Sequence, residues 1–214
     1  MKKILYSVAL AACCMGTMTS CSDFLDASNK SNVTAKQSFA TKEGLNNLVN
    51  DAYQHLQNVY AAPLFTSCFS AGTDMYADAR NKMNEALNTY ETLTPENTDI
   101  KNLYTYLYSG IRAANSVSYY AQTAQVDEKT KGQLVGEARV LAAYEYYLLV
   151  NNFGGVPIMK DFLTTADTGY PKSSPEDVYA YIISELEDVI SKNVLQASTA
   201  TKGGGRISQE TAKA

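Results

Sequence analysis

The chain has no tryptophan and a single histidine, His55, among its 214 residues. One imidazole leaves almost no material for a histidine-based catalytic triad or a zinc site, so neither a metal nor another cofactor is expected. Cysteine is equally sparse: Cys13, Cys14, Cys21 and Cys68, three of them in the first 21 residues. That distribution argues against a framework of paired disulfides. No block of basic residues stands out and the formal net charge is −4, which excludes the electrostatic footprint of a nucleic-acid binder. No convincing alternating strand pattern is present either. What the chain does have is tyrosine, 16 in all. Each brings a flat apolar face with a polar tip, suited to wet interfaces and helix contacts alike. At 45% hydrophobic and 19% charged, the bulk of the chain has the composition of a globular body.

The N-terminus reads as a secretory signal. Lys2 and Lys3 are followed by the apolar run "ILYSVALAA" and then by small residues. The run is too short for a permanent membrane helix. Two cysteines compete as the processing point. "LAAC" at Cys13 fits the Leu-small-small-Cys pattern of a lipoprotein signal better by residue type. "MTSC" at Cys21 leaves a signal, 1–20, within the usual range of about 15–30 residues. Cys21 is therefore the expected lipid-attachment residue and Cys13 the alternative. Several acyl chains on one cysteine make a stable membrane anchor. After that cut only Cys68 could pair, and it reads as a small packed hydrophobe.

Residues 22–37 are polar and without a helical stripe, a tether within the expected segment 21–40. Thr41 can cap a helix over about 42–60, whose stripe is Leu45, Leu48, Val49, Ala52, Tyr53 and Leu56. Residues 61–97 are irregular, with room for a short helix within 78–90. An unstructured connection of that length tends to be functional. Thr94-Pro95-Glu96 resembles a helix start, leading into a stripe of Ile100, Leu103, Leu107, Ile111, Ala114 and Val117. Asp127 caps the next helix, about 128–152, whose "VLAAYEYYLLV" is apolar on almost every side and implies burial between neighbours. Glu145, on the side of Leu134, Ala138, Leu141 and Leu148, is expected to be a partly buried, hydrogen-bonded carboxylate. The tyrosines of 104–108, 119–120 and 144–147 read as core and helix-contact residues. "NFGGVP" stops the helix, and 158–173 form a loop. Ser174-Pro175-Glu176-Asp177 is a strong start for a helix striped by Val178, Ile182, Leu186, Val189 and Ile190. "ASTATKGGG" is expected to be flexible. Ser208 begins a helix too short to bury a face by itself, so the chain reads as the N-terminal part of something longer.

The resulting expectation is an all-α protein of antiparallel helix pairs with long irregular loops, incomplete at its C-terminus, with one helical domain over 41–214. Six motifs occur in order: "CSDFLD", "SFATKEGLNNLVNDAYQHL", "LYTYLYSGIRAAN", "GEARVLAAYEYYLLVNNFGGVPI", "SSPEDVYAYIISELEDVI" and "GRISQETAKA". Together they resemble the N-terminal part of the SusD/RagB family of outer-membrane nutrient-binding lipoproteins. The 137–157 block is the most specific. The resemblance implies a scaffold of degenerate tetratricopeptide-like pairs, lipid-anchored in the outer membrane and facing outward. It implies capture of an oligosaccharide or other nutrient as a lid over a SusC-like TonB-dependent transporter, without enzymatic activity. Family members are usually more than twice as long, and Tyr104 stands where the family usually has tryptophan. Stacking platforms must then be Tyr or Phe. The resemblance places the ligand face in 65–92, where Asp74, Tyr76, Arg80 and Asn81, with Asp78 and Tyr90, supply rings and planar polar groups for sugar hydroxyls. A helical protein-interaction module without a ligand is the alternative.

Overall fold

The computed structural model describes residues 34–61, 63–76, 85–165, 169–201 and 205–214. The signal and both candidate lipid-attachment cysteines, Cys21 and Cys13, lie outside the described residues. A compact unit begins at Ala35. Helices α1 (Ala35–Ser38), α2 (Lys42–Tyr60), α3 (Leu64–Phe69), α4 (Glu85–Thr89), α5 (Thr98–Ala121), α6 (Glu128–Phe153), α7 (Pro175–Lys192), α8 (Ser198–Thr201) and α9 (Gln209–Lys213) follow in order. Among the described residues the only extended pairing is an isolated bridge between Thr73 and Tyr76. The all-α expectation therefore holds, and the long helices pack in chain order: α2 on α5, α5 on α6, α6 on α7.

Local chemistry places most boundaries. The Thr41 hydroxyl accepts the Gly44 N–H at 3.1 Å and caps α2. Leu45, Leu48, Val49 and Ala52 turn inward from it. Asp127 accepts the Thr130 N–H at 2.9 Å. Ser174 accepts the Asp177 N–H at 3.1 Å and donates to its carboxylate at 2.7 Å, with Pro175 at the first helical position. Gly154, at φ +68°, ends α6 in a conformation that side chains rarely adopt.

The start of α5 corrects the expectation. Asn97, not Thr94, is the cap: its Oδ1 accepts from Asp99 at 3.0 Å and Ile100 at 3.2 Å. Thr94 instead closes a turn, its carbonyl accepting the Asn97 N–H at 3.0 Å. A cap needs two free backbone donors ahead of it, and the short amide of Asn97 reaches both. Within 61–97, α4 is the short helix expected there, whereas α3 was not legible. Its six residues carry no helical period and no side-chain cap.

Small residues let α5 and α6 approach. Gly110, Ala113 and Ala114 of α5, and Ala138, Ala142 and Ala143 of α6, are all buried. Glu145 is 0% exposed and neither carboxyl oxygen has a hydrogen-bond partner. That overturns the expected hydrogen-bonded carboxylate. Its end lies against Gly110, where an added Cβ would sit 2.7 Å from Oε2 and nearer still to Oε1. Burial alone drives its pKa well above the carboxylate range, so the folded protein holds it as a neutral acid.

Arg139 ties α6 to α7 through Glu185 at 2.7 Å and Asp188. The C-terminal segment is stitched across α2 and α6 despite its short helix. Arg206 bonds the buried Glu137 at 2.7 Å and reaches Asn50 at 2.8 Å. The Ile207 N–H donates to the Tyr53 hydroxyl at 2.8 Å, and Gln209 donates to the Ile190 carbonyl at 2.9 Å. Part of "ASTATKGGG" is ordered rather than flexible: α8 forms, and Ser198 donates its N–H to Glu210 at 2.7 Å. Cys68 packs against the core, as expected, and burial pushes its thiol up to about 12. No helix among the described residues is long and apolar enough to cross a membrane.

Candidate ligand face

The segment between α2 and α5 folds back on itself. Ser70 and Ala71 both donate to the Thr66 carbonyl and end α3. Gly72 then takes φ +75°. A Cβ there would meet Tyr90 Cζ at 2.6 Å, so the turn requires glycine twice over, by conformation and by space. Thr73 Oγ1 donates to the Ser70 carbonyl at 2.8 Å, and Thr73 bridges to Tyr76. The result is a tight turn with Asp74, Met75 and Tyr76 at its tip. Asp74 and Tyr76 face solvent, and Met75 is 89% exposed.

Tyr90 closes the base. Its hydroxyl donates to the Gly72 carbonyl at 3.4 Å and Asn88 accepts the Gly72 N–H at 3.5 Å. Tyr90 itself has φ +62°, a left-handed conformation that costs a non-glycine residue on the order of 1 kcal/mol. The hydroxyl contact and the ring against Gly72 hold it there. Asp74, Tyr76 and Tyr90 are thus brought together around one turn. Asp78, Arg80 and Asn81 lie outside the described residues.

Aromatic residues continue beyond the turn. Tyr60 stacks on Phe65, and Phe65 on Phe69, each with centroids 5.3 Å apart. The Tyr60 hydroxyl bonds that of Tyr144, and Tyr144 lies 6.2 Å from Tyr147. Tyr104 meets Tyr108 at 4.7 Å and Phe153 edge-on at 5.1 Å. The tyrosines split: Tyr146 is fully buried, but Tyr104, Tyr119, Tyr144 and Tyr147 are exposed. The expected core and helix-contact role holds for Tyr146 and for Tyr106, Tyr108 and Tyr120, which pack on the core, whereas the four exposed rings depart from it. A helix stripe identifies a face but not what covers it. Sequence reading also missed Met75, since no spacing signal marks a turn tip, and Phe162, which lay inside an undifferentiated loop.

The perturbed carboxylates, Glu137 and Glu145, stand elsewhere. Burial pushes Glu137 up, while Gln133, Arg206 and Tyr53 pull it down. The two are eight residues apart on α6, or about 12 Å along the axis. Their carboxyls face different neighbours, Arg206 for Glu137 and Gly110 for Glu145. Among the described residues no group of three His, Cys, Asp or Glu could hold a metal ion.

Comparison with known proteins agrees with this architecture. A family model for SusD-like proteins, described as starch-binding and associating with the outer membrane, matches residues 23–204. A SusD-like protein of Formosa agariphila is 27% identical over 190 residues, covering 86% of this chain and 36% of that protein. Surface glycan-binding protein A from Bacteroides uniformis superposes with a TM-score of 0.65 at 25% identity, over 79% of this chain and 39% of that one. Surface glycan-binding protein A from Bacteroides thetaiotaomicron, solved with laminarihexaose, gives 0.63 at 21% identity, over 80% of this chain and 37% of that one. The chain thus spans well under half the length of these relatives. With a family model matched along most of its length and the same helical framework, it belongs to the SusD-like family.

Proposed function

We propose that the chain is the N-terminal part of a cell-surface glycan-binding lipoprotein. It is anchored in the outer membrane through Cys21 and acts as a lid partner of a SusC-like TonB-dependent transporter in oligosaccharide capture. The family match over 23–204 carries this reading. The ligand face is the turn tip with Asp74 and Tyr76, together with Arg80 and Asn81 that follow in the chain. An exposed tyrosine ring suits the C–H face of a sugar, and a carboxylate beside it suits paired hydroxyls. The family description, starch-binding and associating with the outer membrane, supports a binding rather than a cleaving role.

Isothermal titration against a panel of oligosaccharides tests the ligand face. Tyr76→Ala is expected to weaken binding about tenfold, the loss of roughly 1.4 kcal/mol of ring contact. Unchanged affinity in Tyr76→Ala and Asp74→Ala would remove the site from the turn. Membrane fractionation tests the anchor: Cys21→Ala releases the protein, and release by Cys13→Ala instead would move the processing point.

One observation favours a second reading, an interaction module without ligand. An apolar cavity of about 580 Å³ lies between Tyr53, Leu56, Val140, Tyr144, Ile182 and Leu186, and Ile183 is exposed on α7. Silence across the whole sugar panel would favour it.

A further inference from the structure

A second cluster of sugar-compatible groups sits far from the Asp74–Tyr76 turn. The end of α3 approaches the first turn of α5, where Asp99 acts on the Cys68 thiol. Arg112 lies thirteen residues further along α5, about 20 Å away. Its guanidinium stands 5.7 Å over the ring of Phe162. That ring also meets Tyr119 at 5.3 Å and Tyr120 at 5.8 Å. Tyr119 is 44% exposed and Arg112 is exposed.

Phe162 is held in place by its own loop. Tyr108 donates to the Pro157 carbonyl at 2.8 Å, and the Tyr146 hydroxyl accepts the Met159 N–H at 2.7 Å. Asn115 donates to the Met159 carbonyl at 2.8 Å. Three side chains from two helices thus anchor the stretch just before the ring. A shelf fixed in this way loses little entropy when a ligand arrives.

Two hollows flank Arg112. One, of about 300 Å³, is lined by Asp161, Thr164 and Thr165. The other, of about 400 Å³, is lined by Asp51, Ser109 and Tyr120. Each is at the small end of the roughly 300–1,000 Å³ typical of ligand pockets. Among the described residues no carboxylate pairs with Arg112, so its donors are not committed to an internal partner. Each hollow carries one aspartate, and the two together outweigh the single positive charge of Arg112, which disfavours an anionic ligand. Donor forks, carboxylates and hydroxyls around aromatic rings match the vicinal hydroxyls and apolar C–H face of a neutral sugar.

We propose that the Arg112–Phe162 shelf is a second saccharide subsite, taking one or two neutral hexopyranose units. It shares its ligand class with the proposed function but not its site. The test is protein-observed NMR with laminarihexaose and with maltohexaose. Resonances of the Arg112 side chain and of 159–165 are expected to shift. Arg112→Ala and Phe162→Ala should each weaken that response at least tenfold and leave any response of 70–76 unchanged. Arg112 is solvent-facing, so its alanine variant keeps the fold even if Phe162→Ala does not. Shifts confined to 70–76, or no shifts with either sugar, would overturn the subsite. Shifts at Arg112 with none at 70–76 would uphold it and reject the turn as the ligand face.

Discussion

Gly110→Ala puts the α5–α6 crossing to a direct test. In an exposed helix interior the change stabilises by about 1 kcal/mol, because glycine pays more backbone entropy than alanine. Here the new methyl falls within 2.7 Å of Glu145 Oε2, with Oε1 and Cδ nearer. The carboxyl must move, yet Glu145 is fully buried. Overpacking of this kind costs about 1–3 kcal/mol and at times more. Taking the upper part of that range and subtracting the helix gain leaves a net loss of about 2 kcal/mol. For a body of this size that lowers Tm by roughly 4–8 °C. Urea unfolding followed by circular dichroism reads the same loss as a lower midpoint at constant slope. The mechanism makes a second demand. In a Glu145→Ala background the obstructing carboxyl is gone, so Gly110→Ala should become neutral or stabilising. If Gly110→Ala stabilises both backgrounds equally, the carboxyl does not occupy the space above Gly110 and the packing argument fails.

Other consequences concern charge and caps. Glu145 keeps its proton in the folded state through burial, whereas an unfolded glutamate loses it near pH 4.3. The folded protein therefore binds the extra proton above that pH. Stability should fall as pH rises, by up to about 1.4 kcal/mol per unit, until the folded carboxyl ionises. Glu145→Gln should remove that slope, and urea midpoints that share one pH profile in both proteins would contradict it. Arg206→Ala strips the cation from the buried Glu137 and should cost about 3 kcal/mol; a change below 0.5 kcal/mol in urea unfolding would show that the C-terminal segment is not fastened there. Ser174→Ala removes the cap of α7 and should cost about 1 kcal/mol in the same assay. Cys68, its thiol pushed up to about 12, should resist iodoacetamide at pH 8 until urea unfolds the protein; rapid alkylation in the native state, read by peptide mass spectrometry, would show it is accessible.

Caps and stripes were legible because they are local. Thr41, Asp127 and Ser174 each reach a backbone donor three residues on, so residue type and spacing suffice to place them. The start of α5 was misplaced because two caps compete within four residues, and hydrogen-bond geometry chose Asn97. The ligand turn was visible only as composition. Its shape depends on Tyr90 reaching back to Gly72, a contact across eighteen residues that no local pattern encodes. Phe162 and Arg112 are fifty residues apart, and neither residue stands out in the sequence.

The amino-acid order alone determined the helical class, the phase of the striped helices α2, α5 and α7, and the family, since those rest on period, caps and motif order. Only the tertiary structure decided which aromatics face solvent and which carboxylates lose water. A helix of almost uniform apolarity such as α6 does not declare its partners. Glu145 reads like any glutamate until Gly110 on the packed helix α5 leaves room for its uncompensated carboxyl, and its chemistry follows from that packing rather than from its neighbours in the chain.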